Sequence, residues 1–83
     1  MTWCVYIVRC SDASLYTGIT DDINRRIAQH NAGKGAKYTR GRGPVKLRYL
    51  VACASKAEAL GLEIRIKRLR RYEKLALIQS VQR

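Results

Sequence analysis

Tyr6 and Tyr16 stand on two short apolar segments near the start of the chain, and Gly18 follows two positions after the second tyrosine. Arg26 and His30 come next, four residues apart, a spacing that puts both on one face of a helix. Glu63 lies far downstream among apolar and basic residues. Together they offer two phenols, a guanidinium, an imidazole and one carboxylate. A phenol with a pKa near 10 is a poor base at neutral pH unless neighbouring cations favour its anion. A lone carboxylate suits a hard cation that keeps most of its water. A glycine within a strand leaves room for a ligand to approach the backbone. Such a set could activate water and stabilise developing negative charge.

Other chemistries are excluded. No Gly-rich loop ends in Gly-Lys-Ser or Gly-Lys-Thr, so there is no phosphate-binding loop of that kind. His30 is the only histidine, and no serine stands in a nucleophile-elbow pattern. Three cysteines (Cys4, Cys10, Cys53), with no C-x-x-C pair, cannot build an ordinary four-ligand zinc site and do not suggest a disulfide framework. Of the six carboxylates, Asp21, Asp22 and Glu58 read as helix caps, which argues against a two-metal site lined by acids.

The elements that must position these groups can be read in order. Trp3 to Cys10 is β-branched and aromatic and reads as a strand; Ser11 to Ser14 is a polar turn, and Leu15 to Thr20 a second strand. Apolar residues on both faces of the first strand imply a sheet covered on each side. Asp21 or Asp22 caps a helix running to about Asn31, with Ile23 and Ile27 as its buried stripe and Gly33 as its stop. Residues 33–44 read as a mobile basic loop. A third strand spans Val45 to Cys53, with Lys46 and Arg48 outward and Leu47, Tyr49 and Val51 inward. Ser55-Lys56-Ala57-Glu58 is a capping box opening a second helix, its apolar side assigned to Leu60, Leu62, Ile64, Ile66 and Leu69. A bend or restart is expected around Arg70-Arg71, with Leu75, Ile78 and Val81 continuing a helical period to the end. The order is β-β-α-β-α-α, in one domain of 83 residues without repeat or linker.

Seventeen Lys and Arg against six Asp and Glu leave a net charge of +11 and a pI near 10.2. Self-repulsion of that size points to a polyanionic partner. DNA is expected, with RNA not separated from it by charge, and no membrane: no stretch is long and apolar enough to span one. Reduced cysteines and the lack of a signal-peptide layout suggest the cytosol. Lys34, Lys37, Arg40 and Arg42 on glycine-rich backbone, and Lys67 and Arg68 in a later basic run, are the candidate phosphate contacts. Tyr38 could stack on a base or cap the sheet.

In that order the residues resemble a known signature. Val5-Tyr6-Ile7 and Tyr16-Thr17-Gly18 look like the two halves of the GIY-YIG nuclease motif, and residues 19–31 resemble that family's helix with its Arg and His. Residues 34–44 are similar to the loop of its small stand-alone members, and Glu63 falls at the position of the family's metal-binding Glu. The resemblance implies an α+β fold, a three-stranded antiparallel sheet flanked by helices. It also implies phosphodiester hydrolysis with one divalent cation, Mg²⁺ or Mn²⁺. On it, Tyr6 and Tyr16 activate or orient the attacking water, Arg26 stabilises the phosphoryl transition state, His30 positions or relays a proton, and Glu63 anchors the metal. Gly18 would lie against the substrate. Structure-selective or weakly sequence-specific cleavage in DNA repair or recombination is a further implication. The sequence departs from the pattern at Cys4 and Thr17, where the motif has glycine and isoleucine; Ile19 stands where some relatives have lysine, and no asparagine follows Asn31.

Taken singly, each residue also has an ordinary role. Strand tyrosines pack, His30 suits a helix C-terminus, and Glu63 can pair with Lys67 one turn on for about 0.3–0.5 kcal/mol. A nucleic-acid-binding module that keeps the fold without cleaving, or a ribosome-associated basic protein, would share the charge.

Overall fold

The computed structural model describes residues 2–81, so the last two positions of the helix expected to run to the chain end lie outside the described residues. β-Branched and aromatic residues form β1 (Trp3–Arg9), β2 (Leu15–Thr20) and β3 (Lys46–Cys53). They make one antiparallel sheet in the order β2-β1-β3, with β1 central. The helices are α1 (Ile23–Asn31), α2 (Lys56–Lys67) and α3 (Arg71–Val81), giving the expected β-β-α-β-α-α order.

Each face of β1 has its own core. Val5 and Ile7 pack with Cys53, Ala59, Ile66 and Ile78 on the side of α2 and α3. Tyr6, Val8, Cys10 and Val45 form the other cluster, against Ile23 and Ile27 of α1. The apolar residues on both faces of β1 are thus explained by cover on both sides. The cysteines Cys4, Cys10 and Cys53 are all free and buried; Cys53 fills the first core and Cys10 the second as small apolar groups.

Local chemistry sets the ends of the elements. Asp22, not Asp21, is the N-cap of α1, its carboxylate accepting from the Arg25 N–H at 3.1 Å. The helix closes on Gly33, whose φ of +74° allows the Lys34 N–H to donate to the Gln29 carbonyl at 2.9 Å and its own N–H to His30 at 3.2 Å. Ser55 caps α2 as read, but the Glu58 carboxylate accepts from the Ala54 N–H at 3.4 Å, one residue before the position of the standard capping box. The restart before α3 comes from Glu73, whose side chain accepts from the Arg70 N–H at 2.9 Å.

Three expectations are corrected. Leu47 is exposed, not inward, because the β1–β3 register shifts between Ile7 and Val8. Ile7 pairs with Tyr49 and Val8 with Leu47, so Arg48 is the extra residue of a bulge that turns Leu47 to the opposite face. On α2 the buried stripe is Ala59, Leu62 and Ile66, whereas Leu60 and Ile64 are exposed at 41% and 50%. The loop over residues 33–44 is tied down, not loose. It holds a short 3-10 turn (Lys37–Thr39), and Ser11 donates from its N–H and hydroxyl to the Arg42 carbonyl at 2.7 and 2.9 Å. Asn31 accepts from the Val45 N–H at 2.6 Å at the far end of that loop.

Candidate active site

Pairing of β1 with β2 places Tyr6 opposite Gly18, and Tyr16 opposite Val8 on the same face. A side chain at Gly18 would put its Cβ 2.6 Å from the Tyr6 hydroxyl and 3.2 Å from the Tyr16 ring. The missing side chain is therefore the space the Tyr6 ring occupies as it crosses β2. Gly18 forms a floor for Tyr6, more directly than the approach to substrate expected of it.

The Tyr6 hydroxyl is the point where three elements meet. His30 Nε2 lies 2.8 Å from it and Arg26 Nε donates to it at 3.3 Å, both from α1. The one-turn spacing of Arg26 and His30 is what brings both onto the same phenol. Tyr6 and His30 are almost wholly buried. Tyr16 joins through its ring, edge-on to His30 with centroids 5.5 Å apart and 6.5 Å from Tyr6. Arg26 is braced in turn by Gln29, whose amide oxygen accepts from Nη1 at 3.1 Å.

Burial raises the Tyr6 pKa above the ordinary phenol value, and it outweighs the lowering by Arg26. The expectation that nearby cations favour phenolate is therefore not met in the resting site. His30 moves the other way: burial, then the Arg26 charge, lowers its pKa, so the resting imidazole is neutral at pH 7.

The loop supplies what sequence reading missed. His30 Nδ1 lies 2.7 Å from the Thr39 hydroxyl, which also donates to the Ala36 carbonyl at 2.9 Å. Gly35 sits on the imidazole; an added Cβ would fall on Nδ1 and 2.8 Å from Cγ. Both lie in the 34–44 stretch that resembles the loop of the small stand-alone members, but neither was given a role there. The one available signal was a threonine and a glycine in a loop just after a helix ending in the only histidine.

Glu63 is the carboxylate available to a metal. The other five are engaged: Asp12 with Arg42, Asp21 with Arg25, Asp22 and Glu58 at helix starts, and Glu73 at the Arg70 N–H. Glu63 sits close enough to Tyr6 for its charge to raise the Tyr6 pKa. Its side chain is only 16% exposed and pairs with Lys67 Nζ at 3.3 Å, a half-exposed cation easily displaced. Among the described residues no three His, Cys, Asp or Glu side chains cluster. One carboxylate completed by waters and phosphate oxygens fits Mg²⁺, which seldom takes an all-protein cage.

The basic candidates divide into two kinds. Lys34, Lys37, Arg40 and Arg68 project into solvent. Arg42 is occupied: it donates to Asp12 at 3.0 Å and to the Tyr38 carbonyl at 2.6 Å, with its guanidinium 4.3 Å from the Tyr38 ring centre. Tyr38 stacks on Tyr16 with centroids 5.8 Å apart, so its ring covers the sheet side of the site. A groove of about 560 Å³ lined by Thr2, Cys4, Asp21, Ile23, Leu50 and Ala52 holds none of these groups.

Fold, signature and site geometry define a GIY-YIG domain, and the family model for the GIY-YIG catalytic domain matches residues 2–76. The chain belongs to the GIY-YIG family. Within it, the chain is similar to the UPF0213 proteins. One from Halobacterium salinarum is 58% identical over 73 residues, covering 88% of this chain and 95% of the relative. One from Oceanobacillus iheyensis is 55% identical over 75 residues, covering 90% and 87%. The solution structure of a UPF0213 protein from Bacillus halodurans superposes with a TM-score of 0.64 at 49% identity, covering 98% of this chain and 86% of that one. The names of these relatives state a family and no reaction. The GIY-YIG domain itself points to a nuclease family acting on nucleic acid. No helix among the described residues is long and apolar enough to cross a membrane.

Proposed function

We propose that this chain is a metal-dependent DNA endonuclease that hydrolyses phosphodiester bonds at the Tyr6 cluster, structure-selective or weakly sequence-specific and suited to DNA repair or recombination. The observation that carries the proposal is the convergence of His30 Nε2 and Arg26 Nε on one buried phenol. A packing tyrosine needs one partner for its hydroxyl. This one has a neutral acceptor on one side and a fixed cation on the other.

The roles follow from that geometry. Tyr6 orients the attacking water and takes its proton while passing its own to His30 Nε2, so no free phenolate is needed. Arg26 holds Tyr6 through Nε and Gln29 through Nη1, and turns Nη2 to the charge that builds on the phosphoryl oxygens. Tyr16 walls the pocket and orients the substrate. Glu63 would hold Mg²⁺ or Mn²⁺, which when bound polarises the phosphoryl group. Lys34, Lys37, Arg40, Lys67 and Arg68 bind the sugar–phosphate backbone, which positions DNA without reading its sequence. Arg42 contributes by fixing the loop and Tyr38.

The test is cleavage of branched, flapped and linear DNA in Mg²⁺ and Mn²⁺ by the wild type, Arg26→Ala and Glu63→Ala. Cleavage by the wild type alone supports the proposal. Equal activity in all three proteins refutes the site, and salt-steep binding without cleavage favours a non-enzymatic DNA-binding module.

A further inference from the structure

We infer that Thr39 is a positioning residue that fixes the tautomer of His30, presenting a bare Nε2 to Tyr6; the inference rests on the nuclease reading and deepens it. The Thr39 hydroxyl carries one hydrogen and lies 2.9 Å from the Ala36 carbonyl oxygen and 2.7 Å from His30 Nδ1. Two oxygens at 2.9 Å repel unless a hydrogen lies between them, and the carbonyl has none to give. The hydrogen is therefore on the Thr39–Ala36 line. The hydroxyl meets Nδ1 with a lone pair, and Nδ1 must carry the proton.

The rest of the chain follows. With Nδ1 protonated and the ring neutral, Nε2 is an acceptor, and the Tyr6 O–H donates to it across 2.8 Å. Arg26 Nε donates to the Tyr6 oxygen from another direction at 3.3 Å. Each hydrogen along the line from Arg26 Nε through Tyr6, His30 and Thr39 to the Ala36 carbonyl then has an acceptor. In the other tautomer, Nε2–H and Arg26 Nε–H would both point at the Tyr6 oxygen. The Tyr6 proton would have no acceptor among the described residues, in a side chain buried at 0% exposure.

Gly35 enforces the same arrangement sterically. It lies so close to the imidazole that any side chain there would push the ring off its place. The Schellman turn at Gly33 and the 3-10 turn over Lys37–Thr39 carry Gly35 and Thr39 back onto the helix end. The loop is thus part of the catalytic machinery as well as a phosphate-binding surface.

The proton path balances. As the water oxygen bonds to phosphorus, its proton goes to the Tyr6 oxygen and the Tyr6 proton to Nε2. The phosphorus–oxygen bond to the leaving group breaks, and the departing oxygen takes a proton from solvent. His30, now doubly protonated, keeps its Nδ1–H bond to Thr39 and returns the Nε2 proton through Tyr6 to solvent.

The experiment pairs a spectroscopic readout with kinetics. With a single histidine in the chain, long-range nitrogen–proton correlation spectra of ¹⁵N-labelled protein report one imidazole. The wild type should show the Nδ1–H tautomer at pH 7.5. Thr39→Val, nearly isosteric, should lose that preference and lower kcat about 10- to 100-fold with KM changed less than about twofold. Thr39→Ser should restore both. Gly35→Ala should move the ring signals and lower kcat in the same way; it and Thr39→Ser decide the matter if Thr39→Val does not fold. An Nε2–H tautomer in the wild type, or wild-type kcat in Thr39→Val, overturns the inference. A wild type that binds DNA without cleaving it overturns the nuclease reading and the proton path together. The spectra still show separately whether Thr39 sets the tautomer.

Discussion

Substituting alanine at Gly18 and at Gly61 should change stability in opposite directions, for reasons the structure makes explicit. At Gly18 the new Cβ would lie 2.6 Å from the Tyr6 hydroxyl and 2.8 Å from its Cζ, where real Cβ atoms do not come within 3.0 Å. Something must yield by at least 0.4 Å on that first contact. A free side-chain end would yield cheaply. Here the hydroxyl is held at 2.8 Å by His30 and 3.3 Å by Arg26 in a ring with no exposed surface, so relief comes at the expense of those bonds. Moving the hydroxyl away by that amount pushes the Arg26 contact past useful hydrogen-bond length. Overpacking of this kind costs about 1–3 kcal/mol. For a domain of this size each kcal/mol corresponds to about 4–8 °C in Tm. At Gly61, in the exposed interior of α2, an added Cβ meets nothing within 4 Å. Replacing a helical glycine there should stabilise by about 0.5–1 kcal/mol. Thermal and urea unfolding of both variants gives the signs, and a cleavage assay gives the function. Gly18→Ala should lose both stability and activity, whereas Gly61→Ala should gain stability and cleave normally. A Gly18→Ala protein with wild-type Tm and wild-type activity would refute the role of Gly18 as the floor of Tyr6.

Three further outcomes are expected. Ala13 sits in the hairpin turn at φ +70°, so Ala13→Gly should raise stability by up to about 1 kcal/mol in urea unfolding, less the extra freedom of the unfolded chain. The His30 pKa is lowered in the folded state, so below the ordinary value of 6.5 the unfolded chain takes up a proton that the folded one refuses. The neutral histidine's contribution is complete above pH 6.5 and lost as pH falls through the folded value; Tm measured from pH 8 to 5 should drop more steeply in the wild type than in His30→Gln. Alanine at Lys34, Lys37 or Arg40 should each lower the slope of log binding constant against log salt by about one, whereas Arg42→Ala should leave it nearly unchanged because Asp12 already engages that guanidinium.

Much of this was legible in the order of residues, because the signals were local. A polar turn between two β-branched runs makes a hairpin wherever it occurs, and Asp22, Gly33 and Ser55 act on backbone groups within a few residues. The helical spacing of Arg26 and His30 likewise fixed their shared face. What escaped depends on distant partners. The bulge at Arg48 exists because β3 must match β1, and no residue within β3 announces it. On α2 two stripes of similar hydrophobicity compete, and only contact with Val5 and Ile7 selects Ala59, Leu62 and Ile66 over Leu60 and Ile64. The restart expected around Arg70-Arg71 is present; only its cause, the local cap by Glu73 three residues on, went unread, hidden by the arginine at the cap position. Thr39 and Gly35 were hidden by their setting, since a glycine-rich basic stretch reads as loose until its contacts with His30 are seen.

The nuclease reading is tested most directly by single-turnover cleavage of a flapped DNA in Mg²⁺ by the wild type, Tyr6→Phe and Tyr16→Phe, with binding measured separately. Tyr6→Phe keeps the ring and removes only the hydroxyl shared by His30 and Arg26. Its cleavage rate should fall by about 100-fold or more with DNA affinity unchanged, and Tyr16→Phe should lose much less. Cleavage by Tyr6→Phe at the wild-type rate would contradict a reaction centred on that phenol.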